Sequence, residues 1–397
     1  MFKIKHRLPL RGAFFLSAVS FLLSLSMSFV APIYPLFLKE FVKSDAFVGY
    51  VVTFGSVLLI LCSFVVVSLL RKYHKASLMR IALVGYAITF LLIPLMQTIN
   101  QLLFLTALRA FFTVMALTMT SLFIKESVRR KKELGKTEGM YFAVLNVAWL
   151  IGPLIGGPFA KHFGFTATFL FASVFAFLSF FLWAVESKNF VQDNGELETN
   201  NKHFFQNLKE YFKKRNHAII YLLSFGLPFW WALIYVYIPL WLATKAVSEA
   251  VIGYALFLVV IPLIALELPI GKLADKKGYR WLLALGYVIM AIFGLIAAYT
   301  ESYIILIALF VIGCFGTALV EPLREAFFFK ITKKPDEVRF FSVYRTAFDL
   351  GYVIAPLFYS TILFTGSYKF VFMGGAACML VFSILALGLK ENDHLYY

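Results

Sequence analysis

Charge is scarce in this chain: Asp, Glu, Lys and Arg make up 15% of its 397 residues, against about a quarter in soluble globular proteins. Apolar residues make up 61% and aromatic residues 18%. A chain with so few charges excludes a water-soluble fold, and with it most enzyme classes. Cysteine is almost missing. Cys62, Cys314 and Cys378 all fall inside apolar runs with no second Cys or His at ligand spacing, which excludes a disulfide framework and a metal site. They read as small packing residues. The histidines His6, His74, His162, His203, His217 and His394 lie in tails, loops or the ends of apolar runs, which excludes a histidine relay inside a membrane. No G-x-x-x-x-G-K-S/T loop occurs, so energy from a bound nucleotide is not expected. No nucleophile–base constellation appears in the apolar runs, and neither a cofactor nor a metal is expected.

What the chain has in abundance is apolar runs bounded by charge. They fall near 13–38, 46–70, 77–97, 101–124, 139–160, 165–186, 218–243, 249–270, 281–299, 303–329, 341–363 and 369–389. About 20 residues of helix cross a bilayer core, so the expected fold is an all-α integral membrane protein with twelve transmembrane helices. The first run follows KIKHRLPLRG and carries no small-x-small cleavage site. It is too long for a signal-peptide core and is kept as a membrane helix.

The basic residues are sorted by side. Lys39, Lys43, Lys161, Lys245 and Lys369 fall in the connections of one side, Arg109 lies within a span, and the other 31 of the 37 lie on the opposite side. The positive-inside rule makes that side cytoplasmic, with both termini there and the chain multi-pass in the cell membrane. The net charge of +16 is therefore read as topology and lipid contact, not nucleic-acid binding.

Three regions are expected: a six-helix bundle over 1–186, a cytoplasmic linker over 187–217 and a second six-helix bundle over 218–397. The linker begins polar, then sets Phe204, Phe205, Leu208, Tyr211 and Phe212 at helical spacing beside Lys209, Lys213, Lys214 and Arg215. That pattern predicts an amphipathic helix at the membrane interface, a basic tether in preference to a partner-docking segment. The equal halves suggest a duplication with pseudo-symmetric bundles. NVAWLIGPL at 146–154 and DLGYVIAPL at 349–357 repeat at an offset of 203, pairing Asn146 with Asp349 and Gly152-Pro153 with Ala355-Pro356.

Specific motifs carry a family resemblance. Gly271-Lys272-Leu273-Ala274-Asp275-Lys276-Lys277-Gly278-Tyr279-Arg280 is similar to the G-x-L-a-D-r-x-G-r-r loop signature of the major facilitator superfamily. Glycines 271 and 278 allow close helix approach and a tight turn, and Asp275 offers a carboxylate to a helix N-terminus or an arginine. With Glu267, Arg280 and Arg324 this loop is expected to form a cytoplasmic gate. The equivalent stretch Ser68-Leu69-Leu70-Arg71-Lys72-Tyr73-His74-Lys75 departs from the pattern, with Arg71 in place of the acid and His74 in place of the second glycine. Symmetrical locking is therefore not expected.

The fifth span contains Gly139, Gly152, Pro153, Gly156 and Gly157, which resembles the family's antiporter motif ending in G-P-x-x-G-G, with Ala148 replacing one glycine. It points to the drug:proton antiporter branch and to a hinge at Gly152, Pro153, Gly156 and Gly157, although a purely structural helix contact would use the same residues. In the fourth span Leu105-x-x-x-Arg109 resembles the start of L-x-x-x-R-x-x-q-G, with Phe112 and Thr113 replacing Gln and Gly. Arg109 sits about 12 Å along its helix, where an unpaired guanidinium costs on the order of 3 kcal/mol. It is expected to face a cavity or a carboxylate.

The resemblance implies that the first, fourth, seventh and tenth spans line a central path. The first span sets Ser17, Ser20, Ser24 and Ser28 on one face; the fourth shows Thr106, Arg109, Thr113 and Thr120; the tenth shows Cys314, Thr317, Glu321 and Arg324. These hydroxyls serve equally as glue between helices. The seventh span is aromatic, with Trp230, Tyr237 and Trp241 on one face and Trp231 and Tyr235 on another, so only one group lines a path. A substrate cavity is expected from Ser20, Ser24, Ser28, Thr113, Trp230, Trp231, Tyr235, Tyr237 and Thr317, suited to amphipathic molecules through stacking and cation–π attraction.

Proton coupling is expected from Glu321, then Asp349, with Arg109. Glu267, Glu321, Glu325 and Asp349 fall within spans, accompanied there by Arg324 and Arg345, so protonation of a carboxyl could bias the pathway. The expected function is proton-coupled export of small amphipathic compounds by alternating access. Nutrient uptake by symport or facilitated diffusion is the alternative, and a membrane sensor or enzyme on the same scaffold is the third. The expected partners are a small-molecule substrate, protons and the bilayer. A monomer is the expected state, though nothing in the sequence fixes it.

Overall fold

A computed structural model describes residues 10–70, 72–127, 131–186 and 204–391. Backbone N–H and C=O groups have no water to bond within hydrocarbon, so an apolar chain satisfies them internally by coiling into helices. In order, the helices are α1 (Leu10–Val30), α2 (Tyr34–Val42), α3 (Asp45–Leu70), α4 (Lys75–Leu92), α5 (Ile99–Ser127) and α6 (Lys131–Glu186). There follow α7 (Phe204–Lys213), α8 (Arg215–Ala232), α9 (Ile238–Thr244), α10 (Glu249–Lys277), α11 (Tyr279–Ala297), α12 (Tyr303–Ile331), α13 (Glu337–Thr365) and α14 (Tyr368–Leu387). No strand occurs among the described residues.

Helix boundaries and crossings differ at three places. The α1 and α2 axes meet at 51°, where Pro32 removes a backbone donor and breaks the ladder; together they make the first crossing. Helix α6 runs 56 residues, about 84 Å if straight, far more than a bilayer core of about 30 Å. Its backbone leaves the helical region at Gly164, with φ 78° and ψ 176°, a conformation open to glycine. The rings of Phe159 and Phe171 then stack with centroids 4.9 Å apart. Twelve residues along a straight helix would separate them by about 18 Å. The chain reverses there, and α6 supplies the fifth and sixth crossings. Finally α8 and α9 join through a π-helical turn at Leu233–Tyr237 into one 30-residue crossing, Arg215–Thr244. Twelve crossings result, as expected.

Two compact units hold these helices, one of residues 1–41, 54–198 and 248–257, the other of 42–53, 199–247 and 258–397. The first turns of α3 thus belong with the second unit, and those of α10 with the first. Within the first unit α1 lies directly on α6. Ser28 Oγ donates to the Ala148 carbonyl at 2.8 Å, Ser26 Oγ to Ala172 at 2.8 Å, and Ser179 Oγ to Val19 at 2.8 Å. Such contacts need touching backbones. A Cβ at Gly156 would collide with the Phe29 carbonyl, so only glycine admits this approach. The Phe29 ring fills the space beside it, 5.5 Å from Phe159 and 5.6 Å from Phe171.

The second unit uses the same device. A Cβ at Gly351 of α13 would lie 2.5 Å from the Phe225 carbonyl of α8. Ser383 Oγ donates to Ala284 at 3.0 Å, and Tyr287 OH donates to the Leu223 carbonyl. The linker region 187–203 lies outside the described residues, while α7 follows it as expected. One ring of α7, Tyr211, is fully buried against His217 and Phe340, while Phe205 on the same helix is 81% exposed.

The α1–α6 contact makes a direct prediction. Gly156→Leu is expected to destabilise the detergent-solubilised protein by about 1–3 kcal/mol or more, read as a lower thermal midpoint, while Ile155→Leu on the exposed side of the same turn leaves it unchanged. An unaltered midpoint in Gly156→Leu would remove the glycine contact from this account.

Candidate functional site

Polar groups left inside apolar helices mark where chemistry is possible. In the first unit the group is Arg109 on α5. Its Nη2 donates to Tyr34 OH at 2.6 Å, and the guanidinium lies 4.6 Å from the centroid of the same ring. Among the described residues no carboxylate pairs with it. Of the cavity or carboxylate that Arg109 was expected to face, no carboxylate is given by the described residues; a phenol at the start of α2 satisfies one donor and leaves the charge in place, and Arg109 is half-buried. The hydroxyls expected along the route divide. Ser20 and Ser24 are buried and Thr113 is half-buried. Ser28 is a helix fastener, because its Oγ is held by the Ala148 carbonyl; this corrects its assignment to a cavity.

In the second unit the site grows from the π-helical turn. Pro239, at the first turn of α9, has no N–H for the carbonyl of residue 235, so the chain widens and the Ile238 N–H reaches back to the Leu233 carbonyl. The turn sets Tyr235 over Trp231, ring centroids 5.6 Å apart and nearly parallel. The opposite face turns inward. Trp230 is fully buried, stacked on Phe310 at 4.9 Å, with its ring 2.5 Å from where a Cβ on Gly313 would lie. Tyr237 is also fully buried, donating to the Pro356 carbonyl at 2.6 Å beside Ser360. Thr317 donates to Met290 Sδ at 3.5 Å and has no exposure. Trp230, Tyr237 and Thr317 are thus packing residues of the unit's interior, a correction to the expected cavity wall. Their partners come from α11, α12 and α13, which no single helical pattern specifies.

Beside the Trp231–Tyr235 pair lie the charges of α12 and α13. Arg324 is buried, its Nη1 donating to Tyr344 OH at 3.2 Å and its guanidinium 4.7 Å from the Phe348 ring centroid. Glu321, one turn earlier, is half-buried. Its charge acts on Tyr235 and on Tyr352, and Tyr352 also lies in the fields of Arg324 and Asp349. Asp349 itself is exposed, within reach of Arg345. Glu321, Arg324, Asp349, Tyr235 and Tyr352 all belong to one unit, while Arg109 belongs to the other. Tyr352 was not among the expected residues; its spacing of three from Asp349 on one helix was the available signal. A proton gained at Glu321 changes the charge one turn from a buried guanidinium. Within the aromatic pair Trp231 is buried and Tyr235 half-buried.

The loop residues expected to gate are only partly described. The side chains of Glu267 and Asp275 lie outside the described residues, as does Arg71 of the degenerate loop. Gly278 takes a positive φ of 84° and ends α10, while nothing lies within contact of a Cβ at Gly271. The N–H groups of Tyr279 and Arg280 donate to Glu391 Oε1 at 2.5 and 2.6 Å. The acid that caps this helix thus comes from the C-terminal segment, another residue the sequence did not single out. At the expected hinge, Gly152 and Gly156 face α1, and a Cβ on Gly157 would lie 2.7 Å from Gly253 Cα on α10. Pro153 is buried in the same turn.

Known proteins share this fold. The sequence model of the Major Facilitator Superfamily matches residues 16–246 and 220–394. The chain is similar to the multi-drug resistance efflux pump PmrA of Streptococcus pneumoniae, 26% identical over 369 residues that cover 91% of each chain. Its fold resembles the crystal structure of a peptide transporter POT in complex with sulfate, with TM-score 0.74, 12% identity, and coverage of 98% of this chain and 95% of that one. It also resembles a D-xylose-proton symporter, with TM-score 0.75, 13% identity, and coverage of 94% and 96%. At such identities these two likenesses are of fold alone. With its family model matched across nearly the whole length, the chain belongs to the major facilitator superfamily and is a multi-pass membrane transporter.

Proposed function

We propose that the protein exports small amphipathic compounds in exchange for protons, by alternating access. The observation that carries this reading is the stacked Trp231–Tyr235 ring pair in the same unit as Glu321 and the buried Arg324. Stacking and cation–π attraction select flat, apolar or cationic molecules. A carboxyl among phenols and a buried guanidinium titrates with its surroundings, and its protonation shifts the relative stability of two access states. Asp349 joins as a second proton site through Tyr352, and Arg109 with Tyr34 acts as a fixed cation in the first unit. Ser20, Ser24 and Thr113 are assigned to the substrate route. The helix-5 glycines form the hinge, and the loop from Gly271 to Arg280, with Arg324, forms the gate. The multi-drug efflux relative, covered along 91% of its length, supports the direction of transport. Few Asn or Gln residues occur in the route helices, which supports amphiphiles over sugars. Both termini are assigned to the cytoplasm by the distribution of Lys and Arg, and the working unit is a monomer.

Three measurements test the reading. In proteoliposomes with an imposed pH difference, the wild type is expected to accumulate rhodamine 6G against its gradient. Glu321→Gln is expected to lose that accumulation while still exchanging dye down its gradient; uphill movement by the variant sinks the assignment. Tyr235→Leu is expected to raise the half-saturating dye concentration about ten-fold through loss of ring contact. In cells, a deletion strain is expected to grow more poorly on toxic amphiphiles than an overexpressing strain, whereas the opposite order indicates uptake.

A further inference from the structure

The second unit holds a cavity of about 540 Å³ remote from the aromatic pair, where α8 begins and α12 ends. Five cations, Lys214, Arg215, Lys330, Lys333 and Lys390, stand in its wall with a single acid, Glu391. That acid is already engaged, since its Oε1 accepts from the N–H groups of Tyr279 and Arg280. Lys214 keeps an ion pair with Asp336 at 3.3 Å, and the Lys330 ammonium lies 4.7 Å from the Tyr279 ring centroid. The remaining balance of the wall is strongly positive.

The cavity has a firm frame. Asn216 Nδ2 donates to the Lys390 carbonyl at 2.7 Å while the Lys390 N–H donates to Asn216 Oδ1 at 3.0 Å. This double bond of amides fastens the C-terminal segment across the first turn of α8. Behind it His217 Nε2 and Thr332 Oγ1 lie 3.1 Å apart, both residues buried. Helix α8 starts there with no side-chain cap on Lys214, so its dipole adds to the positive potential. Like charges held this close around a concavity destabilise it unless an anion shares the space, and several Lys and Arg donors converging on one volume is the arrangement that binds phosphate. The volume falls within the range of small-ligand sites, about 300–1,000 Å³, too large for a halide.

We propose that this cavity binds a phosphate-bearing anion, either the headgroup of an anionic phospholipid or a soluble polyphosphate, and that the anion ties α8, α12 and the C-terminal segment together. The proposal is independent of what the protein transports.

The test uses the full-length purified protein at about 150 mM salt, where exposed charges are screened. Two probes are compared: nanodiscs of phosphatidylcholine with and without phosphatidylglycerol, read by native mass spectrometry for retained lipid, and inorganic tripolyphosphate, read by thermal shift. Lys330→Gln/Lys333→Gln is set against Lys276→Gln/Lys277→Gln, which removes equal charge from the end of α10. Binding of either probe that weakens about ten-fold in the first variant and persists in the second is the expected result. Retained phosphatidylglycerol identifies a lipid headgroup, and tripolyphosphate binding that phosphatidylglycerol does not displace identifies a soluble anion. Should the double variant not fold, Lys333→Gln alone, at an exposed position, carries the comparison. Absence of binding by both probes, equal binding by wild type and the cavity variant, or an equal loss in the α10 variant overturns the proposal.

Discussion

A hydroxyl inside hydrocarbon has no water to bond and must find an acceptor in protein. That constraint arranges most of this structure. Ser26, Ser28 and Ser179 in the first unit, and Tyr237, Tyr287 and Ser383 in the second, each donate to a backbone carbonyl of another helix. A serine Oγ reaches such a carbonyl only when two backbones nearly touch, so small residues accompany the hydroxyls. Gly152 and Gly156 lie beside Ser28 and Phe29 for that reason. Helix association in lipid lacks the hydrophobic drive available in water and rests on this combination of close packing and polar glue. The glue consumes these hydroxyls, and the groups left for chemistry are the ionisable ones.

The two units solve the same problem with different chemistry. Both press a glycine against a carbonyl, Gly156 on Phe29 and Gly351 on Phe225. Both satisfy an arginine with a tyrosine hydroxyl, Arg109 with Tyr34 and Arg324 with Tyr344. A phenol bonds one guanidinium proton without cancelling the charge, so each unit retains a cation within its apolar helices. Of these two arginines, Arg324 has carboxyls near it on its own helix, Glu321 and Glu325.

Much of this was legible before any coordinates. Span count, the reversal near Gly164 and the two faces of the seventh span all follow from hydropathy, spacing and charge. Residues sharing a face are a property of one helix and can be read from its pattern. What a face touches is a property of its neighbours. The split of Trp230 and Tyr237 from Trp231 and Tyr235 was therefore visible, but not that Gly313 and Pro356 would draw the first pair inward. The serine row of α1 was visible, but not that Ala148 would claim Ser28. Glu391 escaped notice because it meets α11 across more than a hundred residues of sequence, and Tyr352 because an intramembrane tyrosine looks like any other ring until a carboxyl stands beside it.

The position of Tyr235 bears on how the proposed exchange would work. Coupling requires that substrate and proton each alter the free energy of the other's binding. When two sites are far apart, some bistable element must carry the effect between them. Here one phenol belongs to both: it stacks on Trp231, where an aromatic ligand would compete or extend the stack, and it lies in the field of Glu321. Its backbone is held in a π-helical turn by Pro239, so the ring has a fixed seat and cannot simply swing away with an α-helical register. A ligand that covers the ring excludes water from the carboxyl and disfavours its charged form; an ionised carboxyl, in turn, draws the water that such a ligand would have to displace. Substrate and proton then influence one another across a single side chain, and the remaining work of the fold is to convert that local difference into a choice between access states.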